Sequence, residues 1–372
     1  MKQKNIVIAS DSFKGTLSSL EICNLFKEYL KNKEDIIPTY IPIADGGEGS
    51  LEALSYAVSG HFEKIEVLDL YFHKKEVSFY VDDNKNAYIE AASCVGLNLA
   101  TKDNNPGLVT TYGLGEQIFK AIELGYKTIY MFLGGSASND GGAGLASALS
   151  VKFYKEDGST FIPTGLTLKD IVKIDNSEAL KIIKDVEIVV LSDVLSPFYG
   201  LEGAAYKFAP QKGAKPKEVI KLDDGLRHLS SVIQRDLNID VANVPGAGAA
   251  GGLGGGLVGL LNATIKSGID TLLDLVSFDE KIKNADLVVS GEGKTDRQTF
   301  DGKVIDGVAK RCMKMDKPLS LIVGVSEISL NELRNHYPCI KDLFETNEKH
   351  LPFESIKASA KKDYLKQIDK LF

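Results

Sequence analysis

The most constraining feature of this chain is an abrupt change of texture at residue 133. The apolar run Thr-Ile-Tyr-Met-Phe-Leu at 128–133 breaks into Gly-Gly-Ser-Ala-Ser-Asn-Asp-Gly-Gly-Ala-Gly at 134–144, and an alanine-rich segment follows. A short run of aromatic and β-branched residues bounded by glycine predicts a buried strand, and the alanines predict a helix start. A strand that opens through glycines onto a helix is where α/β sheets hold anions, because glycine admits a ligand close to the backbone and the helix end directs N–H groups at it. Gly134, Gly135, Ser136 and Asn139 are therefore candidate phosphate or substrate contacts. Asp140 would repel a bare phosphate, so it is expected to meet a metal ion, take a proton or cap the helix.

The same order recurs along the chain. An expected strand at 5–9 runs into Ser10-Asp11-Ser12-Phe13-Lys14-Gly15-Thr16 and a helix at 18–30; a second at 38–43 runs into Ala44-Asp45-Gly46-Gly47-Glu48-Gly49-Ser50 and a helix at 51–58. Ligands of open parallel sheets bind beyond the carboxyl ends of strands, which selects Asp11, Ser12 and Lys14. Glycines interleaved with Asp45 and Glu48 suit substrate hydroxyls or a cation. From residue 64 the texture shifts to alternating segments at 65–70, 76–81 and 87–92, read as antiparallel or mixed strands beyond a domain boundary near Phe62. A surface excursion is expected at 154–163. The strand Glu187–Leu191 ends in Ser192-Asp193, Lys212 sits in Pro210-Gln211-Lys212-Gly213, and a helix is expected at 216–237. The last third returns to strands at Leu287–Ser290, Leu319–Val323 and 342–345, with Gly291-Glu292-Gly293-Lys294-Thr295-Asp296 after the first and a helix at 304–313.

Two glycine patterns invite a nucleotide reading. Gly246, Gly248 and Gly251 match G-x-G-x-x-G, but residues 241–244 before Pro245 make a poor strand, and close helix packing explains the glycines equally well. Gly293-Lys294-Thr295 imitates the end of a Walker A loop, yet Val288 stands where its first glycine is required.

Length and composition bound the rest. With 372 residues and 44% apolar content the chain should form two domains with large cores. A net charge of -7 argues against nucleic acid or an anionic membrane as partner, while local lysines still suit an anionic small molecule. The polar opening residues read as no signal peptide, and no apolar run reaches membrane-spanning length, so the cytoplasm is the expected compartment. Cys23, Cys94, Cys312 and Cys339 lie singly, as reduced thiols do, and neither they nor the five dispersed histidines have zinc-site spacing.

Taken together, the loops at Asp11–Gly15, 44–49, 134–142, 210–214, 245–254 and 291–293 resemble the type I glycerate kinase family, in the same order and over essentially the whole chain. Departures are few: Ser10 replaces a common proline, Lys294-Thr295-Asp296 replaces Arg-Ile-Asp, and Val194-Leu195-Ser196-Pro197 varies an Asp-Val-x-Asn-Pro segment. The resemblance implies an α/β protein: a Rossmann-like three-layer domain from both chain ends, 1–62 and 286–372, and an inserted α/β domain with a mixed sheet at 63–285, with the active-site cleft between them. It also implies ATP-dependent phosphorylation of D-glycerate to 2- or 3-phosphoglycerate, with Mg²⁺; a homodimer is compatible with it.

Phosphoryl transfer needs a phosphate cradle, cations and a residue that orients the attacking hydroxyl. Lys14 and Lys212 are the expected cations for carboxylate or phosphate, and Asp193 or Asp296 the expected base. Asp45, Asp140 and Glu292 are expected at Mg²⁺ or substrate hydroxyls, with Asp11, Ser12, Gly46, Gly47, Glu48 and Gly291 completing the contacts. The competing readings are a nicotinamide-dependent oxidoreductase of a small hydroxy acid, built on the Gly246 region, and a non-catalytic sensor.

Overall fold

The computed structural model describes residues 3–44, 46–47, 49–300 and 302–372. The chain divides into two compact units, one of Met1–Asp45, Glu52–Val58 and Gly268–Phe372, the other of Gly46–Leu51 and Ser59–Ser267.

The discontinuous unit holds a five-stranded sheet in the order Ile340–Glu345, Leu319–Val323, Leu287–Ser290, Lys4–Ile8, Ile36–Tyr40, parallel throughout. Pro38 is tolerated because its strand is an edge, where a missing N–H breaks no ladder. Ile6, Ile8, Val289 and Ile322 face the helices Ser19–Leu30 and Ala360–Leu371, where Phe26, Tyr364 and Ile368 complete the core. The alternate residues Val7, Val288, Leu321 and Val323 are equally buried, so the sheet is covered on both faces, as a parallel sheet requires. Helix Ser19–Leu30 is started by Ser18, whose hydroxyl accepts from the Glu21 N–H while the Glu21 carboxylate accepts from the Ser18 N–H. Neither Asp11 nor Ser12 caps this helix, which leaves both in the loop above the sheet.

The other unit carries a six-stranded mixed sheet ordered Thr264–Lys266, Glu187–Leu191, Thr128–Phe132, Asn86–Glu90, Lys74–Asp82, Gly60–Leu68. The first four are parallel and the last two form an antiparallel hairpin. Its core is contributed by helices Tyr112–Glu123, Pro216–Leu237 and Ala249–Leu261. The stretch expected as a surface excursion, 154–163, is exposed at 155–160, and it also carries the short strand Thr160–Phe161, which pairs with Lys152–Tyr154 in a small sheet completed by Lys173–Asp175; strands of two or three residues are too short to show a period. The chain crosses back at Gly268 rather than near residue 286, because helix Gly268–Leu275 packs on Val304–Lys314. There Arg311 meets Asp274 at 2.8 Å and Asp279 at 3.1 Å, and Gly307 lies against Ile269. All four cysteines are free.

Candidate active site

In the inserted unit the strands Thr128–Phe132 and Glu187–Leu191 are parallel neighbours, with Phe132 opposite Leu191, so the loops that follow them leave the same sheet edge. The helix after the first loop is only Ala143–Ala148, a turn and a half that generates little dipole. Its early N–H groups are already taken. Asp140 Oδ2 accepts from the Thr111 backbone N–H and hydroxyl, both at 2.8 Å, and from Gly144 N at 3.3 Å; Oδ1 accepts from Gly142 N at 3.1 Å. The Thr111 hydroxyl accepts from Leu145 N. Part of the backbone expected to cradle phosphate at 134–142 is engaged internally: Gly134 N bonds Gly46 O, Asn139 N bonds Pro106 O, and Gly141 N bonds Gly251 O. Asp140 takes the capping role, and burial raises its pKa against the pull of its donors.

The functional groups of this loop are side chains. Lys212 ends the turn Pro210–Lys212, is 4% exposed, and donates from Nζ to Ser136 Oγ at 3.1 Å and to Ser138 O at 2.7 Å. Burial pushes its pKa down to about 7, although the Asp140 charge acts in the opposite direction. An ammonium has three donors, and two acceptors face this one among the described residues. Beside it, Asn139 is fully buried, and neither amide atom has a partner among the described residues; the same holds for the Ser138 hydroxyl. Such orphaned groups each cost about 1–3 kcal/mol, so their retention points to a ligand with both donor and acceptor atoms. Gly251 lets the next helix approach here: it is left-handed (φ +73°), and a Cβ would lie 2.1 Å from Ser138 O.

Gly134 lies where a Cβ would come within 2.5 Å of Gly47 Cα, so Gly46, Gly47 and Gly134 form a close contact between two loops. Gly135 O accepts from Leu97 N. Asp45 and Glu48 lie outside the described residues. Asp193, half-buried two residues past its strand, accepts from Ser267 Oγ at 3.0 Å. The Gly246 pattern is no dinucleotide turn: no strand precedes it, and a Cβ on Gly246, Gly248 or Gly251 would meet Val194 O, Pro197 O or Ser138 O, so its glycines serve close packing at the start of helix Ala249–Leu261. That removes the basis for the oxidoreductase reading.

In the discontinuous unit, Asp11, Ser12, Lys14 and Glu292 line one cavity of about 410 Å³ together with Gly293, Lys294 and Lys303. Asp11 N donates to Gly291 O at 2.9 Å and Ser12 N to Asp11 Oδ1 at 2.7 Å, which ties two strand ends together. Glu292 is buried and accepts from the Thr299 hydroxyl at 2.5 Å. Asp296 accepts from Gln298 N at 2.9 Å and lies 3.6 Å from both Lys294 and Lys303, so it organises the turn Arg297–Phe300 at the cavity margin. Thr111, Lys303 and the cavity wall at Asn347, Leu351, Phe353 and Asp363 were not legible as site residues, since none carries a glycine-rich signature. The described residues contain no group of three or more His, Cys, Asp or Glu side chains arranged to hold a metal, and no helix long and apolar enough to cross a membrane.

The comparisons with known proteins agree. Residues 6–371 match the model of the glycerate kinase family. A glycerate kinase of Bacillus cereus is 39% identical over 332 residues, covering 86% of this chain and 84% of that protein. The glycerate 2-kinase of Escherichia coli K12 is 40% identical over 325 residues, covering 86% and 84%. A crystal structure from Salmonella typhimurium LT2, described as a glycerate kinase 2, matches with a TM-score of 0.82 at 33% identity, over 98% of this chain and 96% of that one. With the family model spanning nearly every residue and relatives near 40% identity along most of the length, the chain belongs to the glycerate kinase family.

Proposed function

We propose that this protein transfers the γ-phosphoryl group of ATP to a hydroxyl of D-glycerate, releasing ADP and phosphoglycerate. The observation that supports it is the buried lysine beside orphaned amide and hydroxyl groups at the carboxyl edge of the mixed sheet. Glycerate presents what those groups lack: a carboxylate for the Lys212 ammonium and the Asn139 amide N–H, and a hydroxyl for the Asn139 carbonyl. Asp193, on the neighbouring strand end, is the base we assign to orient the attacking hydroxyl. The 2-hydroxyl is the acceptor we favour, in keeping with the name of the Escherichia coli relative.

Magnesium fits the other unit, where Asp11, Ser12 and Glu292 line one cavity, since Mg²⁺ is usually held by one or two carboxylates together with substrate phosphates and water. When bound it offsets charge on the phosphate oxygens. Lys14, Lys294 and Lys303 supply further positive charge at the same cavity. Four free cysteines fit a reducing compartment, and the cytoplasm is our assignment. Incubation with ATP, Mg²⁺ and D-glycerate, followed by ³¹P NMR, tests the reading. We expect ADP and a 2-phosphoglycerate signal only when glycerate is present. No glycerate-dependent ATP consumption would overturn the proposal.

A further inference from the structure

We infer that the cavity of the discontinuous unit is the seat of the nucleotide, with the base against Phe353 and Leu351 and the phosphates toward Lys14, Lys294 and Lys303. The inference rests on the kinase reading and assigns one of its two substrates to a place. Position is the first argument. The strands Lys4–Ile8, Leu287–Ser290, Leu319–Val323 and Ile340–Glu345 run in parallel, and the segment after each supplies a lining residue: Asp11, Glu292, Val325 and Asn347. Four adjacent strand ends meeting at one hollow is the geometry in which open parallel sheets hold nucleotides.

Size is the second. A cavity of about 410 Å³ lies within the range of sites for cofactor-sized molecules, whereas a three-carbon acid would leave most of it empty.

The third argument is how its chemistry is divided. Leu351 and Phe353 are 46% and 45% exposed, large apolar side chains held at the rim of a hollow, as binding surfaces hold them. Lys14, Lys294 and Lys303 line the same hollow. Phe353 also touches the loop that carries Lys14: a Cβ on Gly15 would lie 2.7 Å from its ring. A flat base on Phe353 thus places the groups attached to it beside the cationic loop. Asp363, on helix Ala360–Leu371, lines the same hollow. Its carboxylate, held below its ordinary pKa by hydrogen bonds from Lys366 and Ser359 against the effect of burial, is an acceptor of the kind that ribose hydroxyls seek.

The test uses Phe353→Ala, Phe353→Tyr and Asp363→Asn in the full-length protein. Calorimetric titration with Mg·ADP, without glycerate, should show affinity falling about ten- to thirtyfold in Phe353→Ala and staying within about threefold of wild type in Phe353→Tyr, the size expected for removing or keeping one base-stacking ring. In steady-state assays KM for ATP should rise in parallel in Phe353→Ala and Asp363→Asn, with KM for glycerate unchanged. Because Phe353 is half exposed, melting temperatures should coincide. Unchanged ADP affinity in Phe353→Ala, or a rise in KM for glycerate in place of ATP, overturns the assignment even where the kinase activity is intact. If glycerate-dependent turnover is missing altogether, the titration alone still decides whether this hollow is a nucleotide seat.

Discussion

Burial leaves the Lys212 ammonium titrating at about 7, far below its ordinary 10.5, and this fixes a pH dependence for glycerate capture. The charged form is the one that receives a carboxylate, and a depressed lysine loses that form as pH rises through its folded value. In the free enzyme about one molecule in ten would carry the charge at pH 8 and about one in a hundred at pH 9. Since kcat/KM reports ionisations of the free enzyme, kcat/KM for glycerate should fall roughly tenfold between pH 8 and pH 9. Under saturating glycerate the bound carboxylate restores the lysine charge, so kcat should fall much less over the same range. The perturbation that isolates the group is Lys212→Arg, whose guanidinium stays charged throughout; its absolute rate should be lower, but the alkaline fall should vanish. Initial rates of ADP release at saturating Mg·ATP, with glycerate varied from pH 6.5 to 9.5, read both parameters. A flat kcat/KM to pH 9, or an alkaline fall that persists unchanged in Lys212→Arg, would refute the assignment of Lys212 as the carboxylate partner.

Other expectations follow from groups already described. Asn139→Leu replaces an amide with no partner among the described residues, so urea unfolding should show stability equal to wild type or higher by about 1 kcal/mol, while kcat/KM for glycerate falls about a hundredfold or more; a marked loss of stability would show the amide to be bonded in the free protein. Gly251→Ala forces a side chain into a left-handed position 2.1 Å from Ser138 O, and should cost more than about 2 kcal/mol in the same unfolding assay. Asp193→Asn should lower kcat by about 10²–10⁴, whereas Asp296→Asn should chiefly loosen its turn and shift the melting temperature; if both keep near-wild-type turnover, neither is the base. Tyr337→Phe removes the 2.5 Å hydrogen bond to buried Asp306, and should cost about 1–3 kcal/mol with glycerate turnover unchanged.

Much of the architecture was legible because parallel strands buried on both faces are short apolar runs with sharp ends: Glu187–Leu191, Leu287–Ser290 and Leu319–Val323 read to the residue. Helix Pro216–Leu237 announced itself through a proline in its first turn. What failed to show was anything that depends on distant partners. The return crossing at Gly268 is set by packing of Gly268–Leu275 on a helix about thirty residues later. In the glycine loop the residue types were informative, but their division of labour was hidden. Thr111, 29 positions before Asp140, decides that this carboxylate binds backbone, and the depth at which Lys212 lies is invisible in a Pro-Gln-Lys-Gly turn that also suits a surface. The apolar wall at Leu351 and Phe353 carries no motif, because any flat hydrophobic surface can receive a base.

The sheet order of the discontinuous unit has a consequence for how the chain comes to be folded. Lys4–Ile8 is a central strand whose two neighbours are Ile36–Tyr40 and Leu287–Ser290, and Asn5 is bonded to Asp286, 281 residues away. At synthesis rates of about 5–20 residues per second the first strand waits roughly 15–60 seconds for that neighbour. The other unit, complete by Ser267, leaves the ribosome before the missing strand does. During that interval one hydrogen-bonding edge of Lys4–Ile8 has no native partner, so the nascent N-terminal strand, helix and strand form the segment most exposed to mispairing. Ribosome-bound chains halted once Ser267 but not Leu287 has left the exit tunnel should therefore show protease resistance in the inserted unit and cleavage in the first 45 residues.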